Sequence, residues 1–372
     1  MKTVKRETLR QHQFSELRGG CWAAAPVVLA WALAVCSSSG QIFVENWQRY
    51  TIGKYTISGD VVNDPLIWLP NAYRGAAVGM AVDSENHLFI ADGANGCVRE
   101  YTTSGAVVNT SLVTGLDWPL GLVLDGQSHF FVASSGAYGT ATGTVGEYST
   151  SGVAINATLI SGLSNPMGLA LDGKGYLFVA CSGDGTIKKY TTSGTLVDAA
   201  LVTGLSGPCG LVCDGDGRLF VCNWYSGTVG AYTTSGVVIN ATLISGWSNP
   251  TALALDGNGH LFVASWGTGT VGEYTTAGDV INASLITIAG KVDGLAVVPV
   301  PPPPLLQTAY TSNQFVLSWP LSASNFVLEA TSTLSPGTSW VPVTNGVVAD
   351  ASSFVLTNQA TASSAFYRLH QP

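Results

Sequence analysis

Charged residues are scarce. Asp, Glu, Lys and Arg make up 10% of 372 residues, and there are only five His and three Met. With 46% hydrophobic residues and a mean hydropathy of +0.30, this excludes a disordered chain or a coiled coil. Bases are scarcer than acids, 15 against 23, and five of the bases stand in the first forty residues. Residues 41–372 therefore carry a net charge of −11, a poor surface for nucleic acid. There is no GxSxG, HExxH or phosphate-cradling glycine loop. No apolar run reaches the ~20 residues of a membrane-spanning helix. Cysteines number seven, two of them before residue 41, so an odd five remain and no complete disulfide framework follows. Cys181, Cys209, Cys213 and Cys222 crowd together. One bridge, a thiol site or small apolar packing would each explain them, and packing is the simplest. A unit of ~300 residues hides roughly 75% of its unfolded surface and needs no such staple.

What is present begins with Lys2, Lys5, Arg6, Arg10 and Arg18, followed by fifteen uncharged, mostly apolar residues from Cys21 to Val35 and then CSSSGQ. This reads as a signal peptide over residues 1–40 and places the remainder outside the cytoplasm, secreted or at the cell surface. Retention as an uncleaved anchor and lipidation at Cys36 are the alternatives, and Val35 is bulky for a lipobox. No integral span is expected once the signal is cleaved.

Four motifs then recur six times in fixed order. The first is GMAVD at 79, GLVLD at 121, GLALD at 168, GLVCD at 210, ALALD at 252 and GLAVV at 294. The second runs from IFV at 42 to LFVA at 261, the third from KYTISG at 54 to EYTTAG at 273, and the fourth from PLIWL at 65 to SLITIA at 284. The usual period is 42 residues, stretched to 47 by an insertion around Gly136 to Thr142. Each motif is short, rich in Val, Leu, Phe, Tyr and Thr, and bounded by Gly, Asp, Asn or Ser, so each predicts a strand between turns. Four strands per repeat and six repeats predict an all-β, six-bladed β-propeller over residues 41–298, with a linear solenoid as the alternative. The chain opens on the second motif and closes on a lone first motif. The strand at Gly294 to Val298 is thus expected to complete the blade begun at Ile42.

The phrase NPMGLALDGKGYLFVACSGDGTIKKYTTSG, Asn165 to Gly194, resembles an NHL-type repeat, and the resemblance runs through all six blades. It implies a propeller architecture. Its relatives include protein and RNA binders, lactonases and lyases, so it implies no single function.

The period also accounts for residues that look functional. Asp125-Gly, Asp172-Gly, Asp214-Gly and Asp256-Gly are expected to cap turns with glycine at positive φ rather than bind calcium. His87, His129 and His260 share one position with Tyr176 and Arg218, an interchange that argues against catalysis. Asn109, Asn156, Asn240 and Asn282 begin Asn-x-Ser/Thr sequons, yet recur between the third and fourth strands as turn residues would. PVPPPP in residues 299–305 reads as a stiff linker. Residues 306–372 predict a small β-sandwich, weakly resembling fibronectin type III, with Trp319, Trp340, Phe326 and Phe366 as core rather than a sugar-binding stripe.

Loops after the second strand and before the first emerge together beside the axis of a propeller. Trp47, Trp224 and Trp266 share one position there, where other blades carry Gly93, Ser135 and Ser182. Closure would make these three blades neighbours. Their indoles would offer stacking surfaces for a carbohydrate or a protein partner, with Glu45, Asn46, Asp92 and Asn223 as polar companions. Indoles serving as structural lids are the competing reading. The lactonase-like relatives imply a divalent metal, calcium for instance, held by such Glu, Asn and Asp side chains, although no clear correspondence places one ligand per blade. A lyase of the streptogramin type implies a histidine on this face, and the repeat puts all three repeat histidines on the other. The expectation is a monomeric, noncatalytic binding or scaffold module without a resident cofactor, and a metal-dependent hydrolase or lyase is the alternative.

Overall fold

A computed structural model of the chain describes residues 40–69, 79–136, 142–298, 306–311, 314–320, 327–332, 339–350, 353–359 and 366–370. The signal-like segment, the proline-rich linker, most of the insertion after Gly136, and Phe326 lie outside the described residues. The chain separates into a compact unit ending at Pro302 and a second from Pro303 onward.

The first unit is all β. Six four-stranded antiparallel sheets follow one another along it, each built on the repeat. Taken from the innermost strand outward, the second sheet is Met80–Val82, His87–Asp92, Cys97–Thr102 and Val107–Thr114. The third to sixth start at Pro119–Leu124, Pro166–Leu171, Pro208–Cys213 and Pro250–Leu255. The first sheet has a different origin. Its innermost strand is Val292–Val298, which pairs antiparallel with Gln41–Asn46, so the two ends of the unit share a sheet. Each innermost strand touches the next, and Val292–Val298 touches both Pro250–Leu255 and Met80–Val82.

The core lies between sheets. The second strand of every sheet carries one phenylalanine at the same position, Phe43, Phe89, Phe131, Phe178, Phe220 and Phe262, and all are at most 2% exposed. Because side chains alternate along a strand, these rings point to one neighbouring sheet while the residues flanking them point to the other. Phe178 thus packs with Leu219 and Val221 of the following sheet, and Phe262 packs with Ile42, Val44 and Leu295 of the first.

Two expectations need correction. The third motif is not wholly strand, because Cys97–Thr102 ends at the second residue after Glu100 and the following residues form the turn. There the Thr102 and Ser104 hydroxyls are 2.7 Å apart, and Gly105 takes φ 89° with the Leu66 carbonyl 3.0 Å from where a Cβ would sit. The outer strand consequently starts early, and Asn109, Asn156, Asn240 and Asn282 fall within it rather than before it. They sit at register shifts, where each Oδ1 accepts the amide two residues on, at 2.9–3.2 Å.

The Asp turns follow their expected chemistry. Oδ1 of Asp125, Asp172, Asp214 and Asp256 accepts the amides two and four residues later. Gly126, Gly173 and Gly257 take positive φ, but after Asp214 it is Gly217 that does so. The five thiols in this unit are unpaired, and Cys97, Cys181, Cys209 and Cys222 are buried. Burial pushes the Cys181 thiol up to about 12 and Cys213 to about 11, which suits packing rather than nucleophilic chemistry.

In the second unit, Gln307–Thr311, Gln314–Pro320, Ser353–Gln359 and Val347–Ala349 form one sheet, and Val341–Pro342, Val327–Thr331 and Phe366–His370 another. Trp319 is buried and stacks on Phe354 in a core with Leu317, Leu328, Leu356 and Tyr367. Trp340 is half-buried beneath the Arg368 guanidinium, 4.5 Å from its ring, and Phe366 is also half-buried. Among the described residues no helix is long and apolar enough to cross a membrane.

Candidate functional site

The second strands end at one rim, and the residue that follows each is held by a repeated backbone bond. The amides of Trp47, Ser135, Ser182, Trp224 and Trp266 donate to the carbonyls of Lys291, Trp118, Asn165, Gly207 and Asn249, at 2.9–3.1 Å. The acceptors sit just before the innermost strands. This frame turns five equivalent side chains toward the same end of the unit. Trp47, Ser135, Ser182, Trp224 and Trp266 all line one cavity of about 590 Å³.

Indoles dominate one side of it. Trp266 stands between the other two, 5.4 Å from Trp224 and 6.0 Å from Trp47 by ring centroid, tilted against one and edge-on to the other. All three are half-buried, and Trp224 also packs on the cluster between the fifth and sixth sheets. The ammonium of Lys291 lies 3.0 Å from the centre of the Trp266 ring and 5.7 Å from that of Trp47. Two further aromatics join the lining, Trp118 and Tyr225, and Tyr225 is 73% exposed. Gly207 leaves room for that ring, since a Cβ there would stand 2.6 Å from it.

Part of the lining comes from the second residue of four innermost strands. Leu120, Met167, Cys209 and Asp293 occupy that position and line the cavity. Asp293 is the charged member of this set, and the sequence carries the signal for it. In the Pro-x-Gly alignment the x residues are Leu120, Met167, Cys209, Thr251 and Asp293, and a single acid among neutral residues at a channel-facing position marks it out. Reading the motif from its glycine onward overlooks the residue before it. The Asp293 carboxyl is half-buried at the cavity, and desolvation raises it to about 7.

A raised carboxyl binds its proton more tightly folded than unfolded, so its contribution to stability is present below about pH 4 and is lost as pH climbs toward 7. Because Asp293 faces the cavity, water moderates the cost, and a loss on the order of 1–2 kcal/mol across that window is expected. Urea unfolding of Asp293→Asn should be flatter between pH 4 and 8 and more stable than wild type at pH 8. Identical pH profiles would contradict this account.

The four polar residues expected beside the indoles stand elsewhere. Glu45, Asn46, Asp92 and Asn223 are at most 4% exposed, and none lines the cavity. Asp92 is paired with Arg99 at 2.6 Å and also accepts from Asn95. The Asn46 Oδ1 accepts the amides of Gln48 and Arg49, and the Asn223 Nδ2 donates to Thr228 at 3.3 Å. Asn46, Asp92 and Asn223 end their strands and tie the turns that follow. As a donor set for a divalent metal they fit poorly, since the Asp92 charge is neutralised by Arg99. Among the described residues no three His, Cys, Asp or Glu side chains gather as a metal-binding group.

At the other end of the second strands each repeat histidine faces two carboxylates. Nδ1 of His260 is 3.0 Å from Asp256 and 3.2 Å from Glu273, and His87 and His129 repeat the arrangement. Arg218 pairs there with Asp214 at 2.6 Å, and Tyr176 carries the Lys189 ammonium 4.0 Å over its ring. His and Arg side chains thus pair with the turn aspartate at this position, and Tyr176 instead carries a lysine ammonium.

No protein-family model matches the chain, and no curated protein matches it. Solved structures do. A chain of a nidogen/laminin complex superposes with a TM-score of 0.59 at 15% identity, over 70% of this chain and 98% of that one. A protein of unknown function from Bacteroides caccae gives 0.54 at 15% identity, with the same coverage. A catalytically inactive virginiamycin B lyase from Staphylococcus aureus, solved with quinupristin, gives 0.46 at 17%, over 76% of this chain and 89% of that one. The repeated four-stranded sheets and the first of these likenesses define a β-propeller.

Proposed function

We propose that residues 41–298 close into a six-bladed, NHL-like propeller that acts outside the cytoplasm as a noncatalytic binding module, taking a carbohydrate or protein ligand at the indole-lined cavity. Closure is supported by the sheet shared between Gln41–Asn46 and Val292–Val298 and by the unbroken sequence of contacts between innermost strands. The meeting of Trp47, Trp266 and Trp224 on one rim carries the functional reading. Large, rigid aromatic surfaces next to a cavity of ligand size are what recognition sites use. The nidogen/laminin complex shows a similar fold within a protein–protein assembly, which makes a protein ligand the counterpart of a carbohydrate. Export rests on residues 1–40, and residues 306–372 are read as a fibronectin-type-III-like sandwich after the proline-rich linker.

A backbone outlier supports the reading. Trp118 holds φ 57°, while Asn165, Gly207 and Asn249 occupy the equivalent left-handed position in other sheets. A bulky residue there costs ~1–2 kcal/mol, and such strain is kept where it positions a side chain. Trp118→Asn is therefore expected to raise the chemical unfolding midpoint by about that free energy while weakening ligand binding. A variant both less stable and fully competent in binding would count against it.

A thermal-shift screen against oligosaccharides and peptides, with and without calcium, tests the function. A ligand at a hundredfold its Kd adds ~2.7 kcal/mol. A shift with a glycan or peptide that disappears in Trp224→Ala is the expected result, and a shift with metal alone would favour a hydrolase instead.

A further inference from the structure

We propose that the cavity recognises an organic cation, a ligand or partner side chain whose ammonium or methylated ammonium group seats among the indoles and against the Asp293 carboxylate. This rests on the cavity being a binding site and specifies its chemistry. The lining combines three kinds of group that suit a cation. Trp266 lies 5.4 Å from Trp224 and 6.0 Å from Trp47 by ring centroid, so three indoles gather on one rim, and indole is the aromatic that attracts cations best. Two carboxylates, Asp117 and Asp293, belong to the lining, which holds no Lys or Arg among the described residues. Asp293 is half-buried in the lining, and burial disfavours its charge until a counter-charge arrives.

Lys291 supplies a precedent within the molecule. Its ammonium is seated 3.0 Å from the Trp266 ring centre, so the indole cluster already receives a cation of this kind. Lys291 is not among the lining residues, and the indoles of Trp224 and Trp118 and the phenol of Tyr225 remain for an incoming group. A neutral sugar is the weaker match. It would draw only on the polar groups of the lining, Asp117, Ser135, Asn165, Ser182 and Asp293, and leave the charge of the two carboxylates unanswered.

Choline and its uncharged isostere 3,3-dimethylbutan-1-ol separate charge from shape in calorimetric titration of the full-length protein. Choline should bind at least ~10-fold more tightly than the isostere, the size of a desolvated cation–π and ion-pair preference. Asp293→Asn should narrow the choline-to-isostere ratio, since the indoles remain and the counter-charge is gone, with the melting temperature confirming that the variant is folded; an unchanged ratio overturns the role given to Asp293. Equal binding of choline and isostere overturns the cation assignment and leaves the cavity a binding site. Stabilisation by an oligosaccharide with no response to choline does the same. If nothing binds and no oligosaccharide or peptide stabilises the protein, the binding-site reading falls as well.

Discussion

A chain ending at Gly290 should fail to fold its repeat unit cooperatively, whereas a chain ending at Pro302 should succeed. The difference is the strand Val292–Val298, the innermost member of the sheet that also contains Gln41–Asn46. Its Val292, Leu295, Ala296 and Val297 are buried, and its loss uncovers Ile42, Val44 and Phe262 across the first and sixth sheets. At ~1.5–3 kcal/mol per large apolar side chain, removal costs about 5–8 kcal/mol before the broken ladder is considered. That rivals the ~5–15 kcal/mol by which a domain is stable at all. Phe262→Ala in the intact chain, a single cut at the same seam, should cost ~3–5 kcal/mol. Circular dichroism through a urea titration reads both. Equal midpoints for the two truncated chains would show that the repeats are stable as an open array.

Replacing Trp224 and Trp266 together by alanine should reduce ligand affinity by ~10³-fold, at about 2 kcal/mol for each aromatic anchor. The stability cost should remain below ~2 kcal/mol, because both indoles are half-buried on the rim and only Trp224 also packs against the edge of the cluster between the fifth and sixth sheets. The lid reading makes the opposite forecast, with stability falling by several kcal/mol and affinity declining only as the fold is lost. Unfolding and titration of the same variant distinguish the two.

Much of the architecture was legible because it is written six times. The phenylalanine of each second strand, the Asp of each turn and the Gly before each outer strand recur at one period, and repetition turns weak local signals into a strong global one. Boundaries were less legible. TTSG is rich in β-branched threonine, but its hydroxyls bond within a turn and glycine takes positive φ, so local side-chain chemistry overrides strand propensity. The site was half legible. Comparing equivalent positions singled out Trp47, Trp224 and Trp266, because an indole where other blades have glycine or serine departs from the repeat. The same reasoning put Glu45, Asn46, Asp92 and Asn223 nearby, but all four are buried at the strand ends and line no part of the cavity, with Asp92 held by Arg99, Asn46 by turn amides and Asn223 by Thr228. Trp118 and Tyr225 lie on loops that the motifs do not cover. Asp293 belongs to the repeat, but one residue before the part that repeats best.

The central claim is that the indole-rimmed cavity is where this propeller meets its ligand. A crystal structure of the protein with the strongest ligand from the stability screen tests it most directly. Ligand density between the Trp224 and Trp266 rings and the Asp293 carboxyl is the predicted result. Density confined to the opposite end of the sheets, near His87 and His129, or to the C-terminal unit, with the cavity unchanged, would contradict it.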